Sequence, residues 1–144
     1  MILREYEFFH GAALLRALES AKASAVVTRL SDVGAGCYAI NDVGLLIKFA
    51  RDRMSPWRFT FTADQRGAIG RLEKIFTRVG VLFVCNDAAV IVVDSPELSL
   101  LLGKPPASGS ISVSRKPRGM ARVSGPAGEL PQKVADSDFS LLFP

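Results

Sequence analysis

Apolar and polar positions alternate along this chain with two different periods. From Glu5 to about Lys22, Phe8, Ala12, Leu15 and Leu18 recur at spacings of four, three and three. That is the stripe of an amphipathic helix with acids in its first turn. Val26–Leu30 is rich in β-branched residues and predicts a strand, and 31–36 reads as a loop. Cys37–Ile40 and Leu45–Phe49 flank Asn41-Asp42-Val43-Gly44, a turn whose residues tolerate positive φ, so they predict a hairpin.

Arg58–Thr62 alternates with period two and sets Phe59 and Phe61 on one buried face. Thr62 followed by Gln65 forms a capping box, opening a helix to about Arg78 with Ile69, Leu72, Ile75 and Phe76 inward. Gly67 and Gly70 each weaken that helix by roughly 1 kcal/mol relative to alanine. Val81–Cys85 and Val90–Val93 flank Asn86-Asp87 as a second apolar hairpin, expected in the centre of the sheet. Ser95-Pro96-Glu97 starts a short helix, with Ser95 as the cap, that ends near Gly103. Residues 104–109 break the pattern as a linker, and Ser110–Arg115, Met120–Ser124 and Glu129–Val134 follow as three short strands.

This order predicts one α+β domain: a mixed, largely antiparallel sheet with two main helices packed on it and a β-rich C-terminal extension. The core spans 1–103 and the extension 104–144. A chain of 144 residues is long enough to bury such a core. No apolar run is long enough to span a membrane, and the first residues show no basic region followed by an apolar one. The expected location is the cytoplasm. Cys37 and Cys85 lie in apolar strands and read as reduced core thiols. With one histidine and no paired cysteines, no metal site is expected.

Charge changes the picture only in its distribution. Residues 1–103 carry 12 Lys and Arg against 11 Asp and Glu, whereas residues 104–144 carry 6 against 3. The surplus sits mainly in Arg115-Lys116-Pro117-Arg118 and Arg122, and it would favour a polyanion such as nucleic acid. A second basic stretch runs from Lys48 to Arg58, with Arg51, Arg53 and the sole tryptophan, Trp57, between them. An exposed indole there would stack a base while the cations meet phosphates. The competing reading packs Trp57 into the core beneath the arginine stems. The candidate ligand-binding set is therefore Lys48, Arg51, Arg53, Trp57, Arg58, Arg115 and Arg118. At Arg115–Arg118 the alternative is a solvated turn.

The order helix–β–β–β–helix–β resembles the core of the restriction-endonuclease-like nucleases, which include Holliday-junction resolvases. Those enzymes hold Mg²⁺ between an acid on one strand and a Glu-x-Lys on the next. Here Asp42 and Lys48 are available, but Leu46 occupies the Glu position, and the shifted register puts Lys48 and Ala50 in the Glu and Lys places. The resemblance thus implies a degenerate relative rather than an active nuclease. Leu46-Ile47-Lys48-Phe49, Ser55–Phe61, Ser112–Arg115 and Val123-Ser124-Gly125 also resemble a group of small bacterial proteins of unknown function, over about residues 5–135. That likeness implies no activity.

No other chemistry is legible. His10 reads as a helix-surface histidine paired with Glu7, with no nucleophile signal to serve. Gly34-Ala35-Gly36 lacks the rest of a dinucleotide fingerprint, there is no Walker motif, and no cofactor is expected. The reading is a non-catalytic binding module for nucleic acid or another polyanion. The alternatives are a metal-dependent nuclease or hydrolase and a homodimeric interaction module.

Overall fold

A computed structural model describes residues 2–21 and 24–144. Lys22, where the apolar spacing ends the first helix, lies outside the described residues. The described chain runs α1 (Glu5–Ser20), β1 (Val27–Arg29), β2 (Cys37–Ile40), β3 (Val43–Ala50), β4 (Trp57–Phe61) and α2 (Ala63–Ile75). It continues with β5 (Arg78–Cys85), β6 (Ala89–Asp94), α3 (Ser95–Leu102), β7 (Gly109–Ser114), β8 (Arg122–Gly125) and β9 (Gly128–Glu129). The class is α+β.

The strands form two sheets. One is mixed, in the order β1-β2-β3-β5-β6, and the other is antiparallel, in the order β4-β7-β8-β9. The expected hairpins are both present and antiparallel: Cys37 pairs Leu46 through Ile40 with Val43, and Val81 pairs Val93. The first turn is tighter than expected. Asn41 takes φ 54°, so two residues close it and Val43 already pairs. β3 and β5 run parallel, which a crossover makes possible, and β4 with α2 supplies it. The β5–β6 hairpin is not central. β6 lies at the sheet edge, and the C-terminal segment covers it: the Val90 amide donates to Asp136 Oδ1 (2.9 Å) and the Ser137 amide to the Val90 carbonyl (2.8 Å).

Each face of the mixed sheet has its own core. Leu46, Val81, Phe83 and Ile91 point toward α2, α3 and the second sheet. Leu45, Ile47, Leu82 and Val92 point toward α1 and the C-terminal Phe139 and Leu142. β5 is buried on both faces from Val79 to Cys85, hence its unbroken apolar run. The 104–144 stretch supplies Ile111, Val113 and Val123 to the same cluster as Phe59 and Phe83. Cys37 and Cys85 are free and buried, and burial pushes the Cys85 thiol up to about 12.

Local signals decide the caps. Thr62 Oγ1 accepts from the Gln65 amide (3.2 Å), and Gln65 Oε1 accepts from the Thr62 amide (3.1 Å). α3 is capped by Asp94 rather than Ser95, because the carboxylate one residue earlier reaches the Glu97 amide at 2.9 Å. α2 ends at Ile75, which is exposed, and Arg78 already belongs to β5.

The buried face of α1 differs from the predicted stripe. Ala13 and Ala17 are buried with Phe9, Leu14 and Leu18 against them, while Phe8 and Leu15 are exposed. Two adjacent faces of this helix are apolar, so spacing alone favours neither. The alanine face wins because it brings the helix close to the sheet. Arg16 on this helix reaches Asp136 at 2.8 Å. Burial pushes the Asp136 carboxyl up, but the Val90 amide, the Ser137 hydroxyl and Arg16 outweigh it and hold the group below the usual carboxylate value.

Candidate functional site

Strand alternation sorts the basic stretch around β4. Trp57, Phe59 and Phe61 point inward, and Arg58 and Thr60 point outward. Trp57 is only 3% exposed, and its indole N–H donates to the Asp52 carbonyl at 2.7 Å. A stacking role for Trp57 is therefore excluded: its ring is spent on the core.

Lys48 leaves the proposed site for a different reason. It lies on β3, and its Nζ donates to the Thr60 carbonyl (2.6 Å) and to Gln65 Oε1 (2.8 Å), 4.7 Å from the centre of the Phe61 ring. Burial brings its pKa down to about 8. It opens onto a separate pocket with His10 and Tyr38. Arg51 pairs with Glu5 at the surface. Arg115 is half-buried and clasps backbone, donating to the Gly119 carbonyl (2.7 Å) and the Ala88 carbonyl (3.3 Å). Arg118 is exposed in the turn before β8, with φ 61°.

The remaining cations converge on the second sheet. Arg53 and Arg58 line one shallow concavity with Asp52 and Ser55. Ser55 also lines its neighbour, of about 540 Å³, with Arg115, Lys116, Arg122 and Lys133. Among the described residues no Asp or Glu lines this second concavity. Ser55 joins the two physically, since its Oγ accepts from the Arg115 amide at 2.8 Å.

The outward face of the sheet continues the same chemistry. Directly paired residues share a face, so the register sets Arg58 beside Ser112, Ser112 beside Ser124, and Ser114 beside Arg122. Thr60 Oγ1 meets Ser110 Oγ at 3.1 Å. Guanidinium groups and hydroxyls both donate to phosphate oxygens. This face has no aromatic side chain in those rows, and Glu129, beside Ser124, is the acid at its margin.

Lys116, Arg122 and Lys133 were not in the sequence-derived set. Arg122 carried a signal, because Ala121 and Val123 alternate inward around it. Lys133 carried none: where one strand over Glu129–Val134 was expected, β9 ends at Glu129 and a single bridge joins Ala121 to Val134. His10 also departs from expectation. Its Nδ1 shares a 2.9 Å hydrogen bond with Tyr38 Oη, while Glu7 accepts from the Arg4 amide. Among the described residues no three His, Cys, Asp or Glu side chains converge to hold a metal. Nor is any described helix long and apolar enough to cross a membrane. Comparisons with protein families, curated proteins and solved structures found no match to this chain.

Proposed function

We propose that this chain is a binding module for nucleic acid, engaging the phosphate backbone across the open face of the second sheet. The observation that carries the reading is the acid-free concavity of Arg115, Lys116, Arg122 and Lys133, which adjoins Arg53 and Arg58. Serine and threonine rows beside it offer further donors to phosphate and sugar oxygens. With Trp57 turned inward, stacking contributes nothing, so recognition is through charge and tolerant of sequence. The nuclease alternative draws no support from Asp42 and Lys48. Asp42 sits in the β2–β3 turn and Lys48 lies six residues on, near the far end of β3, with Nζ held by the Thr60 carbonyl and Gln65.

Phosphate contacts release counterions, so affinity for a single-stranded oligonucleotide is expected to fall linearly on a log–log salt plot. Replacing Arg122 and Lys133 with alanine removes two contacts and flattens the slope by about 1.4, at about 0.7 per contact on single strands. Fluorescence anisotropy across a salt series measures both. A double variant with the parent's slope would remove the sheet face from the account.

Self-association is a second reading, favoured by the outward stripe of α1, where Phe8 and Leu15 are 60% and 58% exposed. It predicts a dimer in light scattering that Leu15→Glu dissolves. A parent protein that stays monomeric at every concentration would end it.

A further inference from the structure

A half-open pocket apart from the basic face lies beside the start of β2. Tyr6 and His10 reach it from α1, Arg29 from β1, Tyr38 from β2, and Lys48 and Phe49 from β3. Its volume of about 410 Å³ suits a small organic molecule. Aromatic rings build one wall: His10 meets Tyr6, Tyr38 and Phe49 edge-on at centroid distances of 5.4, 5.7 and 6.1 Å.

The polar lining is one-sided. Lys48 and Arg29 are cations, and among the described residues no Asp or Glu lines the cavity. Lys48 is pinned by two neutral acceptors, the Thr60 carbonyl and Gln65 Oε1, and Gln65 is itself held by the α2 capping box. Two of the three ammonium hydrogens are thus spoken for, and one is left for an occupant. Among the described residues the ion pairs are Arg16–Asp136 and Arg51–Glu5, and neither serves Lys48. A half-buried ammonium without a counter-charge is costly, which is why burial alone carries its pKa down to about 8.

The backbone adds a donor. Ile47 donates its amide at 2.9 Å to the carbonyl of Gly36, the residue just before β2 begins. Strand alternation turns the amide of Phe49 the same way, beyond the register at which β2 begins with Cys37. The β1–β2 loop bends toward α2, where Arg71 grips the Val33 carbonyl at 2.7 and 3.0 Å, and its Gly34, Ala35 and Gly36 form part of the pocket lining. The edge of β3 is therefore left open beside the pocket.

From this geometry we infer that the pocket is a binding site for a small organic anion, a planar monocarboxylate whose carboxylate meets Lys48 and whose ring lies against the His10–Phe49 wall. A single lysine hydrogen with one strand amide matches a carboxylate's two oxygens, with Arg29 a second cation on the lining. The rigid, pre-paid position of Lys48 means that little side-chain entropy is lost on binding. This inference does not depend on the nucleic-acid reading, because the two sites share no lining residue.

Benzoate is the probe and benzamide its uncharged counterpart, titrated into isotope-labelled protein by NMR. Benzoate is expected to bind with a Kd on the order of 1 mM and to shift the amides of His10, Lys48, Phe49 and Gln65. Benzamide should bind roughly tenfold more weakly or worse, the value of one hydrogen bond to a charged group. Lys48→Met should erase that preference. It should also unfold at a denaturant midpoint no lower than the parent's, because it removes an uncompensated buried charge. If that variant does not fold, the parent alone decides the matter through pH. Affinity for benzoate should fall at least about tenfold from about pH 7 to about pH 9.5, as the lysine loses its proton. The other groups lining the cavity that can titrate are His10, Tyr6, Tyr38 and Cys37. Burial moves His10 below its ordinary value and moves Tyr38 and Cys37 above theirs, so none of these three gains charge in step with that loss. Four results would each overturn the inference: benzamide binding as tightly as benzoate, affinity flat across that pH range, shifts confined to Arg122 and Lys133, or a folded Lys48→Met that keeps its benzoate site.

Discussion

Trp57→Ala is expected to lower the unfolding midpoint by the equivalent of about 3–5 kcal/mol, with the denaturant slope unchanged. The ring is 3% exposed and packs in the cluster that holds Phe59, Phe61, Phe83 and Val113. Its strand joins the two sheets by sequence, leaving β3 on one side and pairing β7 on the other. Truncation therefore opens a cavity beneath the basic face and removes the indole's hydrogen bond to the Asp52 carbonyl. Trp57→Phe is the informative companion. It keeps most of the volume, gives up one hydrogen bond worth about 1 kcal/mol, and should leave nucleic-acid affinity where it was. A folded Trp57→Phe that no longer bound nucleic acid would mean that the indole reaches the ligand after all.

Gly125→Ala should cost about 1–3 kcal/mol or more, the cost of an overpacked contact that cannot relax. A Cβ there would stand 2.4 Å from the Leu101 carbonyl oxygen and 2.9 Å from its carbon. That carbonyl is fixed, because it ends α3 and accepts from the Ala127 amide at 2.9 Å. The β8–β9 turn is thus pressed directly on helix backbone, and the variant tests whether that docking holds the basic face in place. Gly70→Ala is the control of opposite sign. It meets nothing within 4 Å and lies in a helix, so it should stabilise by about 0.5–1 kcal/mol. Chemical denaturation of both variants gives the comparison directly.

Features written in a few neighbouring residues were legible in the sequence. Asn41-Asp42 marked a turn because asparagine tolerates positive φ, and Thr62 with Gln65 marked a helix start because their side chains satisfy each other's backbone donors. Features decided between distant residues were not. The pairing of Trp57 with Val113 and of Phe59 with Ile111 joins strands some fifty residues apart, and no local signal announces a second sheet. The stripe on α1 misled because the helix offers two apolar faces, and the sheet chose the one with alanines.

The site divided along the same line. Trp57 stands two residues before Phe59 and four before Phe61, so the alternation that buried the phenylalanines already buried the indole. Its basic neighbours obscured that signal. Lys48 belonged to the right stretch of sequence but to a strand whose alternate residues face α2, and so it opens onto a different pocket. Arg53 and Arg58 stood in the sequence-derived set, whereas Lys133 comes near them only because the chain returns to β8 through the bridge at Val134.

The central claim is that the outward face of the second sheet binds a phosphate backbone, and NMR mapping tests it most directly. A single-stranded oligonucleotide of about twenty bases, longer than one small domain's usual site, is titrated at low ionic strength. The account predicts amide shifts at Arg53, Arg58, Ser112, Ser114, Lys116, Arg122 and Lys133 that vanish as salt is raised. No shift at low salt, or shifts that leave those seven residues untouched, would contradict it.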